Sequence, residues 1–492
     1  MKVRTQFQAL AGVLALAALP AVANAVDCPA NVDPGTTCTE QTGAGKTGGF
    51  FRVTFPSNWD GDLVIVNHGF DLNDLHIRPH NSCSHSGSTP IPCQQDSDCG
   101  TNHFCNKISY LGLDEVLLPM RKAVAAGTYT DSGWAVFHSA KDLKDIIKYV
   151  KKESGFGAQL KRVIITGFSG GGAVTADATL KLKIDGAVPL CAAAGGGLPT
   201  WDVAQDVRLV YDYLCDDVPG AKFWPAPDEG LPNHLNSDDD AASMALKVEA
   251  CFGMFGLPGG DGHQAERLAK FLTLTRFTGD ASHGGSGENI AAAMGFATLG
   301  LGDFVQDPKR LKGKRIGLND TLDYKAQGDD LLLAADYDAN VKRLTAGPGR
   351  KLLRKASWPD FTKGKGKKVA YPILSMAGAN DWLVIPEFNR VYTDALTAGN
   401  KAYTQTWIDT YGHCVFSEQE VTALFTKYFE WLGPVGGPYG TQPTPADIAN
   451  ACLALPGGVD DDTCNFNGAF SPGAVYDRIP QRADWPAAAR KP

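Results

Sequence analysis

Short, nearly unbroken apolar runs alternate along the chain with stretches of helical spacing. The runs at residues 63–66, 163–166, 186–190, 373–376 and 403–408 predict strands. Between them, Val136, Ala140, Leu143, Ile147 and Val150 recur at helical intervals, with Lys141, Asp142, Lys144, Asp145 and Lys148 on the other face. That pattern predicts an amphipathic helix over 136–150 covering a sheet. Near the C-terminus Ser417 precedes Glu418 and Glu420, and Val421, Leu424, Phe425, Tyr428 and Leu432 form one stripe, which predicts a helix capped by Ser417. Strands alternating with helices of this length predict an α/β class with a mostly parallel sheet and helices on both faces.

The interval from Cys191 to Pro372 breaks the rhythm. It contains no strand pattern and is far longer than a crossover needs. We therefore expect region 192–370 to be a large cap, rich in Gly, Asp and aromatic residues such as Trp201, Tyr211, Phe252 and Phe255. A second interruption, 71–112, carries Cys83, Cys93, Cys99 and Cys105 among Ser, Pro, Asp and Gln and reads as a disulfide-held insertion, with three pairings open. Length alone, 492 residues, suggests about three domains. The pattern reduces this to one catalytic domain over 26–437 that holds both insertions, with a C-terminal extension over 438–492.

The N-terminus has the form of an export leader over 1–25. Lys2 and Arg4 precede an apolar run, and Ala23-Asn24-Ala25 is a small-x-small cleavage pattern. Nothing later is long and apolar enough to span a bilayer. Twelve cysteines then fit an oxidising compartment, secreted or periplasmic. Spacing makes Cys28 with Cys38, and Cys452 with Cys464, local staples of the two ends. A net charge of −8 disfavours nucleic acid or an anionic membrane surface as a partner.

Candidate chemistry is concentrated at three strand ends. The run 163–166 passes straight into Gly167-Phe168-Ser169-Gly170-Gly171 and then a helix-compatible stretch. A G-x-S-x-G between strand and helix is the turn that exposes a nucleophilic serine, and crowding there demands glycine two residues to either side. Upstream, the run 63–66 ends in His68-Gly69-Phe70, where a second backbone donor for an oxyanion belongs, so the donors are expected to be the N–H groups of Phe70 and Gly170. Acid and base should follow in the order carboxylate, then histidine. Asp381 lies in the loop after run 373–376, and His413 follows run 403–408. Asp409 is the rival acid. Phe70, Phe168 and Trp382 are expected to line the substrate pocket. His76, His80, Cys83 and His85 have a loosely zinc-like spacing, but a cysteine in an oxidising compartment usually pairs, and no metal or cofactor is expected.

With these residues in place the chain resembles secreted bacterial serine hydrolases of the α/β-hydrolase fold. The resemblance runs from about Gly49 to Gly437 outside the cysteine-rich insertion. It is carried by His68-Gly69, Ser132-Gly133-Trp134-Ala135-Val136, the Ser169 turn, Ile184 to Cys191, the Asp381 loop and Gly412-His413-Cys414. It implies the fold, a Ser-His-Asp triad and hydrolysis of an ester or related acyl bond, without naming a substrate. Tannase-like and feruloyl-esterase-like enzymes are similar in having a cysteine directly after the catalytic histidine, as Cys414 is here. Their partner cysteine stands immediately before the nucleophile, where this chain has Phe168. The resemblance therefore suggests instead a bridge from Cys191 to Cys414, and Cys215 to Cys251 inside the cap. The expected substrate is a small-molecule or polymeric ester. The alternatives are an exopeptidase of the same fold, or a polyester depolymerase that uses the cysteine-rich insertion to bind a surface.

Overall fold

The apolar runs are unbroken because the sheet they form is buried on both faces. A computed structural model describes residues 22–46, 49–70, 82–83, 105–106, 108–130, 133–222, 241–254, 261–277, 286–306, 311–327, 330–356, 360–460 and 463–491. Its strands are β1 (Val22–Val26), β2 (Cys38–Ala44), β3 (Phe50–Pro56), β4 (Asp62–Asn67), β5 (Ser82–Cys83), β6 (Cys105–Asn106), β7 (Ala123–Gly127), β8 (Arg162–Phe168), β9 (Gly186–Leu190), β10 (Ile373–Asn380) and β11 (Tyr403–Tyr411). Nine of them form one sheet in the order β1-β2-β3-β7-β4-β8-β9-β10-β11. The six from β7 to β11 in that order pair in parallel, and β1, β2 and β3 add an antiparallel edge. This mixed sheet with helices on both sides is an α/β-hydrolase fold. The pair β5 and β6 sets Cys83 opposite Cys105. Residues 71–81, 84–104 and 107 of the cysteine-rich insertion, and with them Cys93, Cys99, His76, His80 and His85, lie outside the described residues.

Alternate side chains of each strand enter separate cores. Leu63 and Ile65 join one, Val64 and Val66 the other. The helices before the cap are α1 (Leu113–Leu117), α2 (Ser139–Lys152) and α3 (Gly170–Lys181). Region 192–370, the expected cap, holds among its described residues α4 (Gly197–Cys215), α5 (Ala241–Phe252), α6 (Gln264–Thr275), α7 (Ser286–Gly295), α8 (Leu301–Gln306), α9 (Leu331–Asn340) and α10 (Arg350–Ala356). After it come α11 (Pro386–Ala398), α12 (Glu418–Leu432), α13 (Pro445–Leu453) and α14 (Val475–Arg478). One face is covered by α2, α3 and α11, whose core continues into the cap through Trp201, Phe252 and Phe304. The other face is covered by α1, α12 and α13.

Helix α12 starts as its sequence dictates. Ser417 and Glu420 close a reciprocal capping box, and Val421, Leu424, Phe425, Tyr428 and Leu432 are buried. Helix α2 differs from its expectation. Val136 belongs to a separate 3-10 turn, Ala135–Phe137, and α2 begins only after His138, whose backbone is not helical. Asp142 is also not on the solvent face: it is buried and accepts hydrogen bonds from the Thr130 backbone and hydroxyl. An acceptor near a helix start that secures the preceding loop looks, in sequence, like any surface charge.

The C-terminal extension is packed on the rest of the chain. Residues 465–467 lie along β11, with Asp409 N–H donating to the Asn465 carbonyl at 2.6 Å and Asn467 N–H to the Trp407 carbonyl at 2.9 Å, so the outer strand is covered. Among the described residues four cysteine pairs are bridged: Cys28–Cys38, Cys191–Cys414, Cys215–Cys251 and Cys452–Cys464. No helix among the described residues is long and apolar enough to cross a membrane. Val22 to Ala25 of the edge strand β1 precede the expected cleavage point, and residues 1–21 lie outside the described residues.

Candidate active site

Ser169 stands between β8 and α3 with φ 57° and ψ −118°, a conformation that costs a non-glycine residue on the order of 1–3 kcal/mol. Its surroundings hold it there. Its N–H donates to the Leu190 carbonyl at 3.0 Å, and its carbonyl accepts from Ala173 N–H at 3.1 Å. The flanking glycines are sterically required: a Cβ on Gly171 would lie 2.2 Å from the Asn67 carbonyl oxygen, and one on Gly167 2.6 Å from the Asn67 Cβ.

The His68-Gly69-Phe70 turn lies against this serine. A Cβ placed on Gly170 would come 2.9 Å from the Phe70 nitrogen, and one on Gly69 would come 3.5 Å from the Ser169 Cβ. Gly170, as the first residue of α3, has no intrahelical acceptor for its N–H. Two amide nitrogens thus adjoin at a helix N-terminus, where the backbone dipoles favour negative charge. Tyr129 fixes the turn by donating its hydroxyl to the His68 carbonyl at 2.9 Å while its ring packs on the imidazole.

Asp381 is fully buried just beyond a register shift in β10 that turns the chain out of the sheet. Its Oδ1 accepts the N–H groups of Leu383 and Val384 at 3.0 and 2.9 Å, and its Oδ2 lies 2.8 Å from Nδ1 of His413. A carboxylate so held can only accept. The imidazole proton therefore sits on Nδ1, and Nε2 keeps its lone pair. Asp409 does not take this place: it is exposed and accepts from the Asn380 amide at 2.9 Å.

His413 sits between Gly412, at φ 127°, and Cys414, at φ 58°. The Cys414 sulfur is 3.4 Å from Nε2 and 3.7 Å from Nδ1, so it rests against the imidazole. Being bridged, it has no proton to give. The bridge has a geometric consequence. Leu190, whose carbonyl holds the Ser169 N–H, precedes Cys191, and Cys191 is bonded to the residue next to His413. The Ser169 turn and the His413 loop are thereby fixed to the same strand end. Changing Cys191 and Cys414 together to serine is expected to lower unfolding stability by about 2–5 kcal/mol, since the bridge closes a loop of 223 residues. It should also reduce kcat more than it raises KM; chemical denaturation and steady-state kinetics check the two effects.

The pocket-lining expectations divide. Phe70 meets Trp201 and Phe296 edge to face, at 5.7 and 5.3 Å between ring centres, and Trp201 stacks on Phe296 and Phe304 at 5.0 and 4.4 Å. An aromatic wall therefore runs from the His68-Gly69-Phe70 turn to Trp201, Phe296 and Phe304. Trp382 is buried beside Asp381 and stacks on Phe277. Phe168 is not part of that wall. It faces the opposite core and packs on Phe416, under the histidine loop. Strand parity explains this, because Phe168 and Ile164 share a face of β8. In the sequence Trp201 is one aromatic among many in region 192–370, and nothing local links it, Phe296 or Phe304 to residue 70.

No family model matches this sequence, and no curated protein sequence matches it. Among solved structures, an esterase from Aspergillus oryzae shares 14% identity over 85% of this chain and 87% of its own, with a TM-score of 0.43. Feruloyl esterase B from Aspergillus oryzae shares 12% over 86% and 89%, with a TM-score of 0.42. The closed state of Candida antarctica lipase A shares 11% over 89% and 91%, with a TM-score of 0.37.

Proposed function

We propose that the chain is an exported serine hydrolase that cleaves carboxylic esters through an acyl-enzyme, with Ser169 as nucleophile, His413 as general base and Asp381 as the orienting acid. The observation that carries the reading is the 2.8 Å contact between a fully buried carboxylate and Nδ1 of His413, at the sheet edge where Ser169 is held at positive φ.

Nε2 of His413 takes the Ser169 proton as Oγ attacks the acyl carbon. Asp381 steadies the imidazolium that forms. The oxygen of the tetrahedral intermediate turns toward the Phe70 and Gly170 N–H groups, each worth roughly 3 kcal/mol in the transition state. His413 returns the proton to the leaving alcohol, and water then releases the acid by the same path. The four bridged cysteine pairs support an oxidising compartment, and we extend the proposal to removal of a leader after Ala25.

Asp381→Asn is the sharpest test of the acid. It keeps the shape but permits donation toward Nδ1, which favours the wrong tautomer. We expect kcat for a p-nitrophenyl ester to fall by about 10⁴-fold with KM little changed. Full activity would return the acid role to another carboxylate. Parallel assays on acyl esters and aminoacyl arylamides set esterase against exopeptidase, and faster turnover of the esters is expected.

A further inference from the structure

Arg478 ends α14, which packs on α11, the helix that follows the Asp381 loop. The connection between loop and helix is short. Asp381 accepts the Val384 N–H, Pro386 opens α11, and Oε2 of Glu387, in its first turn, lies 3.7 Å from Nη1 of Arg478. That distance makes an ion pair without a hydrogen bond. The Arg478 side chain is 3% exposed, and its Nε and Nη1 have no hydrogen-bond partner. Its charge acts on three others: it attracts Glu387, repels Arg276 at the end of α6, and attracts Asp381 itself. The remaining carboxylates on neighbouring elements are engaged elsewhere. Asp206 of α4 is held by Arg482, Asp330 is exposed and caps α9, and Asp477 is exposed and accepts the Ala474 N–H at 3.1 Å.

An arginine kept for its bonds looks different. Arg482 meets both oxygens of Asp206 at 2.8 and 2.9 Å, whereas Arg478 is buried at the same expense of desolvation with only a loose ion pair to show for it. What Arg478 does supply is a charge: a guanidinium stays protonated at any working pH, and away from water its field reaches further than at a surface. We propose that Arg478 is a positioning residue for the active site, its buried charge beside the acid loop favouring the ionised Asp381 and opposing uptake of a proton by the Asp381–His413 pair. This role presupposes the Ser169-His413-Asp381 triad proposed above. It also gives the C-terminal extension a part in the chemistry, through a residue 97 positions from Asp381 in the chain. The sign of the effect is fixed. A nearby positive charge resists protonation of the pair and a nearby negative charge promotes it, so Arg478 and Glu387 should act in opposite directions.

The test is the pH profile of kcat/KM for a p-nitrophenyl ester, measured on the full chain. In Arg478→Met the midpoint of the acid-side loss of activity is expected to rise by about 0.5–1 pH unit, and in Glu387→Gln to fall by a similar amount. Arg478→Lys, whose ammonium is protonated throughout that range, should keep the wild-type midpoint whatever happens to kcat. A merely structural arginine would lower kcat or stability in both Arg478 variants and leave every midpoint in place. Unmoved midpoints, or shifts of the same sign in Arg478→Met and Glu387→Gln, would overturn the assignment. If Arg478→Met does not fold, by circular dichroism, the Glu387→Gln midpoint decides. The same proton is followed without turnover in a Ser169→Ala background, through the downfield imidazole N–H resonance of His413 against pH. Opposite shifts of that resonance in a protein that hydrolyses no ester would keep the role of Arg478 and sink the hydrolase reading; hydrolysis with neither midpoint moved would do the reverse.

Discussion

Ser169→Ala is expected to lower kcat for a p-nitrophenyl ester by about 10⁴–10⁶-fold while the protein still folds. Folding should survive because the hydroxyl is no part of the frame. Ser169 is held by its backbone, through Leu190, Ala173 and Ala193, and alanine can make the same bonds. Alanine at φ 57° is about as strained as serine, so stability should change by less than about 1 kcal/mol. Activity collapses because no other hydroxyl takes that position at the start of α3, beside the Phe70 and Gly170 amides. What remains would come from the oxyanion donors acting on water attack. Steady-state kinetics with an unfolding curve on the same preparation checks both halves, and a loss of less than tenfold would remove the serine from the chemistry.

The second large effect concerns stability and lies far from the serine. Arg482, from the C-terminal extension, is completely buried. Its Nη2 donates to both oxygens of Asp206, its Nη1 to the Pro480 carbonyl at 2.7 Å and its Nε to the Leu318 carbonyl at 3.2 Å. Beside it, Asp202 accepts from Arg350 at 2.7 and 2.9 Å and from the Trp485 indole at 2.6 Å, and Arg350 reaches Asp484 at 2.8 Å. The chain end is thus tied to α4 of the cap by a buried ion network. Arg482→Met is expected to cost about 3–5 kcal/mol, because Asp206 would be left buried without its partner. Loss of a surface pair such as Arg390 with Asp394 should cost no more than about 1 kcal/mol.

The loss in Arg482→Met should depend on pH, and the sign follows from Asp206. Burial already holds its carboxyl above the ordinary value, against the pull of Arg482. Without the arginine it rises further, so the folded state keeps a proton that the unfolded state has released. Stability of the variant then falls as pH rises through the carboxylate range, and its deficit against wild type is larger at pH 8 than at pH 5. Denaturant midpoints at the two pH values measure this. An equal deficit at both would mean that Asp206 is not the group left uncompensated.

These two regions differ in how far the sequence discloses them. The Ser169 turn is legible because its constraints are local: a strand, two glycines and a helix start within ten residues. Asp381 and His413 are legible because chain order and strand ends restrict the choice. The ion network is not, since Asp206 and Arg482 are 276 residues apart and Asp202 and Arg350 are 148 apart, and each looks alone like a surface charge. Strand β7 is missed for a different reason. Ala123-Val124-Ala125-Ala126-Gly127 is as compatible with a helix, and only pairing with β3 and β4 makes it a strand. Phe168 shows the limit of proximity in sequence, since one residue before the serine places it on the opposite face.

The most direct measurement of the proposed chemistry is covalent trapping of the nucleophile. Mature protein incubated with an alkyl fluorophosphonate, digested and mapped by mass spectrometry, is expected to carry one adduct per chain, on the peptide that contains Ser169. Its rate of formation should fall by about 10³-fold or more in His413→Ala, where no base removes the serine proton. An adduct on another residue, or undiminished ester hydrolysis by protein without an adduct at Ser169, would contradict it.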